Sequence, residues 1–254
     1  MPVKLYAMTN GHLTMSFGTM LEGESGKIRV PVPTYLMVHP DGRTALYDSG
    51  LHTDMRTDPA ARLGGLAKAF QVEFEAGEAV DERLELLDID VARVTYLVNS
   101  HLHFDHCGGN AHVPNARVVL QKPEWEAAQI PELQQRVGFM PQDYDLGHDV
   151  LTVDGEHDLF GDGSVVTVPT YGHTPGHQAL KVQTEKSEIL LTGDACYFRR
   201  TLEELKLPKI VYDREQMIDS LMRIRRFRDA GARIYFGHDP EFWQDVPQAP
   251  REIL

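Results

Sequence analysis

The stretch Ser100-His101-Leu102-His103-Phe104-Asp105-His106-Cys107-Gly108-Gly109 places three imidazoles and a carboxylate within six positions. Imidazole nitrogen and carboxylate oxygen together suit zinc and other borderline divalent cations. His101 and His103 stand two apart, so an extended segment would point both the same way. Asp105 and His106 fall where the chain must turn toward Gly108-Gly109, so one loop can present two pairs of donors to two neighbouring positions. His173, Asp194 and His238 are the further candidates, in Gly-His-Thr-Pro-Gly-His, Thr-Gly-Asp and Gly-His-Asp respectively. These seven donors could serve two four- or five-coordinate ions if one carboxylate is shared. None is a thiolate, whereas closed structural zinc sites are usually rich in cysteine, so the set favours chemistry over folding. Cys107 and Cys196 flank donors and read as small apolar fillers.

Such a set needs strand ends to hold it. Apolar, often β-branched runs predict strands at 34–39, 44–48, 93–99, 116–121, 164–169, 178–183, 188–192 and 233–236. The Pro-Asp-Gly turn at 40–42 joins the first two as a hairpin. Helices are expected at 59–75, 80–87, 122–128 and 214–230. For the last, Asp213 is the cap, Ile218, Leu221, Met222 and Phe227 keep near-helical spacing, and Gly231 is the stop. Strands interleaved with helices indicate an α/β layered fold, and the length of 254 residues suits one domain spanning 1–254. The polar clusters each follow a strand, which is where α/β folds build their sites.

Composition narrows the function. A content of 42% hydrophobic and 25% charged residues is that of an ordinary globular protein. No run approaches the roughly 18 apolar residues of a membrane helix, and the first residues lack the apolar core of a signal peptide. Two cysteines make no disulfide framework, so a reducing cytoplasm is the expected compartment. A net charge of -13 argues against a nucleic-acid partner. The one basic run, residues 223–228, reads as a solvated helix face.

His101-x-His103-x-Asp105-His106, followed by Gly-His-Thr-Pro-Gly-His, Thr-Gly-Asp and Gly-His-Asp, resembles the metallo-β-lactamase superfamily over residues 99–239. The resemblance implies an αββα sandwich, two mixed β-sheets face to face with helices outside and a dinuclear metal site along one edge. It assigns His101, His103 and His173 to one ion, Asp105, His106 and His238 to the other, and Asp194 to the bridge. Ser100 stands where many members have threonine, and Asp48 resembles an aspartate that orients a ligand histidine.

Within the superfamily, His103 departs from the glutamate of flavodiiron proteins, and Asp194 from the cysteine of the commonest zinc β-lactamases. Asp194-Ala195-Cys196-Tyr197, with the other motifs, is similar to the N-acyl-homoserine lactonases of quorum quenching. That branch implies a lactone-opening hydrolase that attacks the carbonyl with water activated between two ions. Asp194, Asp105 and Tyr197 would be its catalytic side chains, with Tyr197 at the carbonyl and Asp105 carrying a proton to the leaving oxygen. Zinc is the expected metal, while iron, manganese and cobalt accept the same donors. An acyl chain needs an apolar groove, for which Phe104, Met20, Phe70 and Phe74 are candidates, with the segment 51–90 as a helical lid. Rival readings are a glyoxalase II-like thioesterase, a broader lactonase or esterase, and a non-catalytic metal-binding sensor. A homodimer contact through the aromatic stretch 236–243 is a further expectation.

Overall fold

The computed structural model describes residues 1–254. Twelve strands form two sheets: β1 (Lys4–Ser16), β2 (Lys27–Val38), β3 (Thr44–Tyr47), β4 (Gln71–Glu73), β5 (Tyr96–Val98), β6 (Arg117–Gln121), β7 (Val150–Val153), β8 (His157–Asp158), β9 (Val165–Pro169), β10 (Gln178–Gln183), β11 (Glu188–Leu191) and β12 (Arg233–Tyr235). The first sheet has the order β4-β1-β2-β3-β5-β6-β7, the second β12-β11-β10-β9-β8. Both mix parallel and antiparallel pairs.

Alternation along the strands builds the layers. Ala45, Tyr47, Leu180, Val182, Ile189 and Leu191 enter one core between the sheets. Their neighbours turn outward and are covered. Leu46, Leu97 and Val118 meet Val80, Leu84 and Ala127 of flanking helices. Ala179, Leu190 and Ile234 meet Met217, Leu221 and Ile224 of the helix Arg214–Asp229. The result is the αββα sandwich. Because both faces of β2 are covered, its central residues are buried continuously instead of alternately.

The hairpin at 34–48 is present, with Val38 opposite Thr44. Asp213 caps the long helix, accepting from the Glu215 and Gln216 amides at 3.0 Å each. Its buried face is Met217, Leu221 and Ile224; Ile218 and Met222, expected inside, lie one position around and are exposed. Three of its arginines are engaged locally: Arg223 with Glu156, Arg225 with the Leu202 and Glu203 carbonyls, and Arg228 with Asp229.

The expected helix at 59–75 is not one. It runs as Pro59–Leu63, continues as a 3-10 turn over Gly64–Lys68 and ends in β4 on the edge of β1. Two consecutive glycines weaken the helix there, and Val72 opposite Leu13 completes an edge pair. The run 93–99 shortens to β5 because Asp90 caps a 3-10 turn through Arg93. The sequence reading missed β1, the first half of β2, β4, β7, β8 and helices at 131–137 and 199–204. Pro31 and Pro33 disguised β2. They face the irregularity between Thr9 and His12 of β1, where missing amide donors do no harm. No helix is long and apolar enough to cross a membrane. Phe236 and Trp243 of the aromatic stretch are buried in the chain's own cores.

Candidate metal centre

Parallel pairing aligns the carboxyl ends of β3 with β5 and of β11 with β12. Asp48 follows β3, the histidine loop follows β5, Asp194 follows β11, His238 follows β12, and His173 sits between β9 and β10. After His103 the loop becomes a single helical turn, Phe104–Cys107. Gly109 then lies so close to Ser49 that a Cβ would come within 2.2 Å of its carbonyl oxygen. The Ser49 amide donates to the His106 carbonyl at 2.8 Å, pinning the loop to the segment that carries Asp48.

All seven candidate donors converge, in two groups. His101, His103, His173 and Asp194 form one, and Asp105, His106 and His238 the other, with donor atoms in each group within 4.8 Å of one another. In the first, His103 Nδ1 lies 2.9 Å from His101 Nε2 and 3.1 Å from His173 Nε2. Asp194 faces both groups. Its Oδ2 is 3.2 Å from His173 Nε2, and its Oδ1 is 3.0 Å from His238 Nε2 and 3.2 Å from His106 Nε2. Asp105 Oδ2 stands 3.7 Å from His106 Nε2 and 3.8 Å from His238 Nε2. A tetrahedral zinc with bonds of about 2.0–2.1 Å holds its donors about 3.4 Å apart, within the span of these separations. His106 Nε2 and Asp194 Oδ1 are buried without a hydrogen bond, since their approach lacks hydrogen-bond angles. Buried polar atoms left so are rare, and these two lie only 3.2 Å apart.

Partners behind the rings select the nitrogen that faces inward. His106 Nδ1 lies 2.8 Å from Asp48 Oδ2, and Asp48 Oδ1 accepts the Ser100 amide at 2.6 Å. Asp48 adopts a left-handed φ of 60°, which aspartate tolerates better than most residues. His238 Nδ1 donates to the Pro31 carbonyl at 2.8 Å, and His101 Nδ1 meets the Ser100 hydroxyl at 2.9 Å. His103 differs: its Nε2 donates to the Val137 carbonyl at 2.8 Å, so Nδ1 faces the centre. His177, missed by the sequence reading, accepts the Asp194 amide at 3.0 Å and meets the Thr170 hydroxyl at 2.9 Å. Its signal was the second histidine of Gly-His-Thr-Pro-Gly-His. Pro31 and Val137 act through backbone carbonyls, which side-chain type does not reveal.

Charge follows the same division. Burial, then the neighbouring His106, pull His101 well below its ordinary pKa, and burial with His173 takes His103 to about 4. Both are neutral donors ready for a cation. Burial also opposes the charged form of His106 and His238, but Asp194 leads the carboxylates that outweigh it and raise both. Burial of Asp194 is likewise overcome, by His106 and His238, so it is held well below the usual carboxylate range. One group thus offers neutral nitrogen, while the other gathers carboxylates that draw positive charge. Both features suit divalent ions.

Tyr197 is buried beside the groups, its ring 5.7 Å from that of His173 and 5.5 Å from that of His238. Burial, then Asp194, push its phenol well above the ordinary value, leaving a hydroxyl that can donate. Met20, Phe74, Phe104 and Tyr197 share one apolar cluster with Met55 and Leu63 of the 51–90 segment. Phe70 meets Phe104 edge-on at 5.2 Å. Of the four groove candidates only Phe70 lines the cavity of about 360 Å³ formed with Met15, Thr19, Lys27 and Lys68, whose walls include none of the seven donors. Arg62 ties the 51–90 segment to buried Asp143 at 2.5 Å. Cys107 and Cys196 are buried in neighbouring apolar clusters, outside both donor groups.

Residues 28–238 match the metallo-beta-lactamase superfamily. The chain is 34% identical to the N-acyl homoserine lactonase AttM of Azorhizobium caulinodans, over 98% of this chain and 97% of that one. It is 33% identical, with the same coverage, to AttM of Rhizobium radiobacter. A solved N-acyl homoserine lactone hydrolase, with N-hexanoyl-L-homoserine bound at its catalytic metal centre, matches at a TM-score of 0.88 and 26% identity over the whole of both chains. By its sandwich, its converging donors and these likenesses, the chain belongs to the metallo-beta-lactamase superfamily, in the branch of the N-acyl homoserine lactonases.

Proposed function

We propose that this hydrolase opens the lactone ring of N-acyl-homoserine lactones at a two-metal centre, zinc being the first choice of metal. The observation that carries the reading is Tyr197, buried with its ring 5.7 Å from that of His173 and 5.5 Å from that of His238, beside the two donor groups that Asp194 faces. His101, His103 and His173 would hold one ion, Asp105, His106 and His238 the other, and Asp194 both. Bound there, divalent ions supply Lewis acidity and lower the pKa of water.

The chain's own residues do the rest. Tyr197 donates to the lactone carbonyl oxygen and stabilises the charge that develops on it. Water adds across the acyl C–O bond: its oxygen joins the carbonyl carbon, the ring C–O bond breaks, and a proton goes to the departing ring oxygen. Asp105, at the edge of the second group, carries that proton. Asp48 keeps the His106 ring oriented throughout. The product is an open-chain N-acyl homoserine. Phe70 and the Phe104 ring it meets edge-on begin the apolar wall for the acyl chain, with Met20 and Phe74 packed behind them and the 51–90 segment over it.

The reaction class is tested by following acid release from an N-acyl-homoserine lactone beside cleavage of a glutathione thioester. Lactone opening at the higher kcat/KM supports the reading; preference for the thioester replaces it with a thioesterase. Phe104→Ala is expected to lower kcat/KM for long acyl chains more than for short ones, by roughly tenfold for about 1.4 kcal/mol of lost contact. An unchanged chain-length profile removes Phe104 from the groove.

A further inference from the structure

Glu124 is a fully buried carboxylate that the chemistry above does not use. It lies in the helix Lys122–Ala128, directly after β6. What surrounds it are donors, not cations. Oε1 accepts the Leu102 amide at 3.1 Å, while Oε2 accepts the Thr174 hydroxyl and the Gly176 amide, each at 2.8 Å. Leu102 lies between His101 and His103, and Thr174 follows His173. The two stretches thus joined, His101–His103 and His173–Gly176, carry all three imidazoles of the first donor group, while Asp105 and His106 of the second follow only in the helical turn Phe104–Cys107 and His238 lies on another loop. The second stretch meets the helix closely: a Cβ on Gly176 would come within 2.2 Å of the Glu124 backbone nitrogen, so only glycine allows this approach.

We infer that Glu124 is a positioning residue for one half of the metal centre. By tying Leu102 to Thr174 and Gly176, it sets the spacing of His101, His103 and His173, and with it the affinity of that position more than of the other. The inference rests on the two-metal reading above. An ionised carboxylate is purely an acceptor, which is what three converging donors require. Glutamine has the same shape, but its NH2 must face either the Leu102 amide or the Gly176 amide, donor against donor. The isosteric change therefore splays the two loops without opening a cavity.

The test is zinc binding by the full chain in competition with a graded chelator, for wild type, Glu124→Gln and Thr174→Val, with the fold of each checked by circular dichroism. Wild type is expected to hold two equivalents. Glu124→Gln should keep one equivalent at wild-type affinity and hold the other about 10–100-fold more weakly. Thr174→Val, which removes one donor and keeps the carboxylate, should weaken the same equivalent by less; it decides the matter if Glu124→Gln does not fold. A wild type that never holds two ions overturns the two-metal reading and the inference with it. A wild type that holds two, with variants that weaken both equally or neither, overturns the inference alone.

Discussion

Asp194→Asn is expected to lower kcat/KM for an N-acyl-homoserine lactone by at least about 10³-fold, because it removes charge from both donor groups at once. Each Asp194 oxygen faces histidine nitrogens, Oδ2 toward His173 and Oδ1 toward His106 and His238. Asparagine fits the space but must turn an NH2 toward one side, so one group loses an acceptor oxygen and both lose the negative charge. His106 and His238 also lose the leading source of their stabilised positive form. The variant should therefore retain fewer metal equivalents, read by atomic emission on the same samples used for kinetics. Two retained ions with activity within about tenfold of wild type would contradict the shared role.

Tyr197→Phe isolates a different contribution. It removes one hydroxyl from a buried ring and leaves all seven metal donors intact, so metal content should not change. Loss of a single preorganised donor to a developing oxyanion lowers kcat by about 10²-fold, with KM nearly unaltered when the contact forms chiefly in the transition state. Undiminished turnover would take Tyr197 away from the carbonyl. A matched rise in KM at constant kcat would make it a binding residue instead. Because Phe104 and Tyr197 share one cluster, the double variant also reports whether groove and carbonyl site act independently.

The site was more legible than the scaffold. Its donors are polar residues at strand ends, where little but chemistry explains them, and all seven were visible as residue types and spacing. What supports them was harder to see. Asp48 could be picked out, but the Pro31 and Val137 carbonyls carry no side-chain signature. His177 carried no signal beyond the second histidine of Gly-His-Thr-Pro-Gly-His, and Glu124 none beyond its place in the expected helix at 122–128. In the fold, runs such as 164–169 and 188–192 announced themselves by their apolar and β-branched content. β1 and the first half of β2 did not, because they mix polar positions, a glycine irregularity and two prolines. The segment 59–75 misled because its local pattern favours a helix, whereas a glycine pair and pairing with β1 decide otherwise. Tertiary context overrides propensity there.

The most direct test is to strip the chain of metal, add zinc in measured increments, and follow opening of an N-acyl-homoserine lactone at each step. If Asp194 joins two positions into one catalytic centre, turnover stays low through the first equivalent and rises to its plateau with the second. Full turnover at one equivalent, or none at two, would contradict the account.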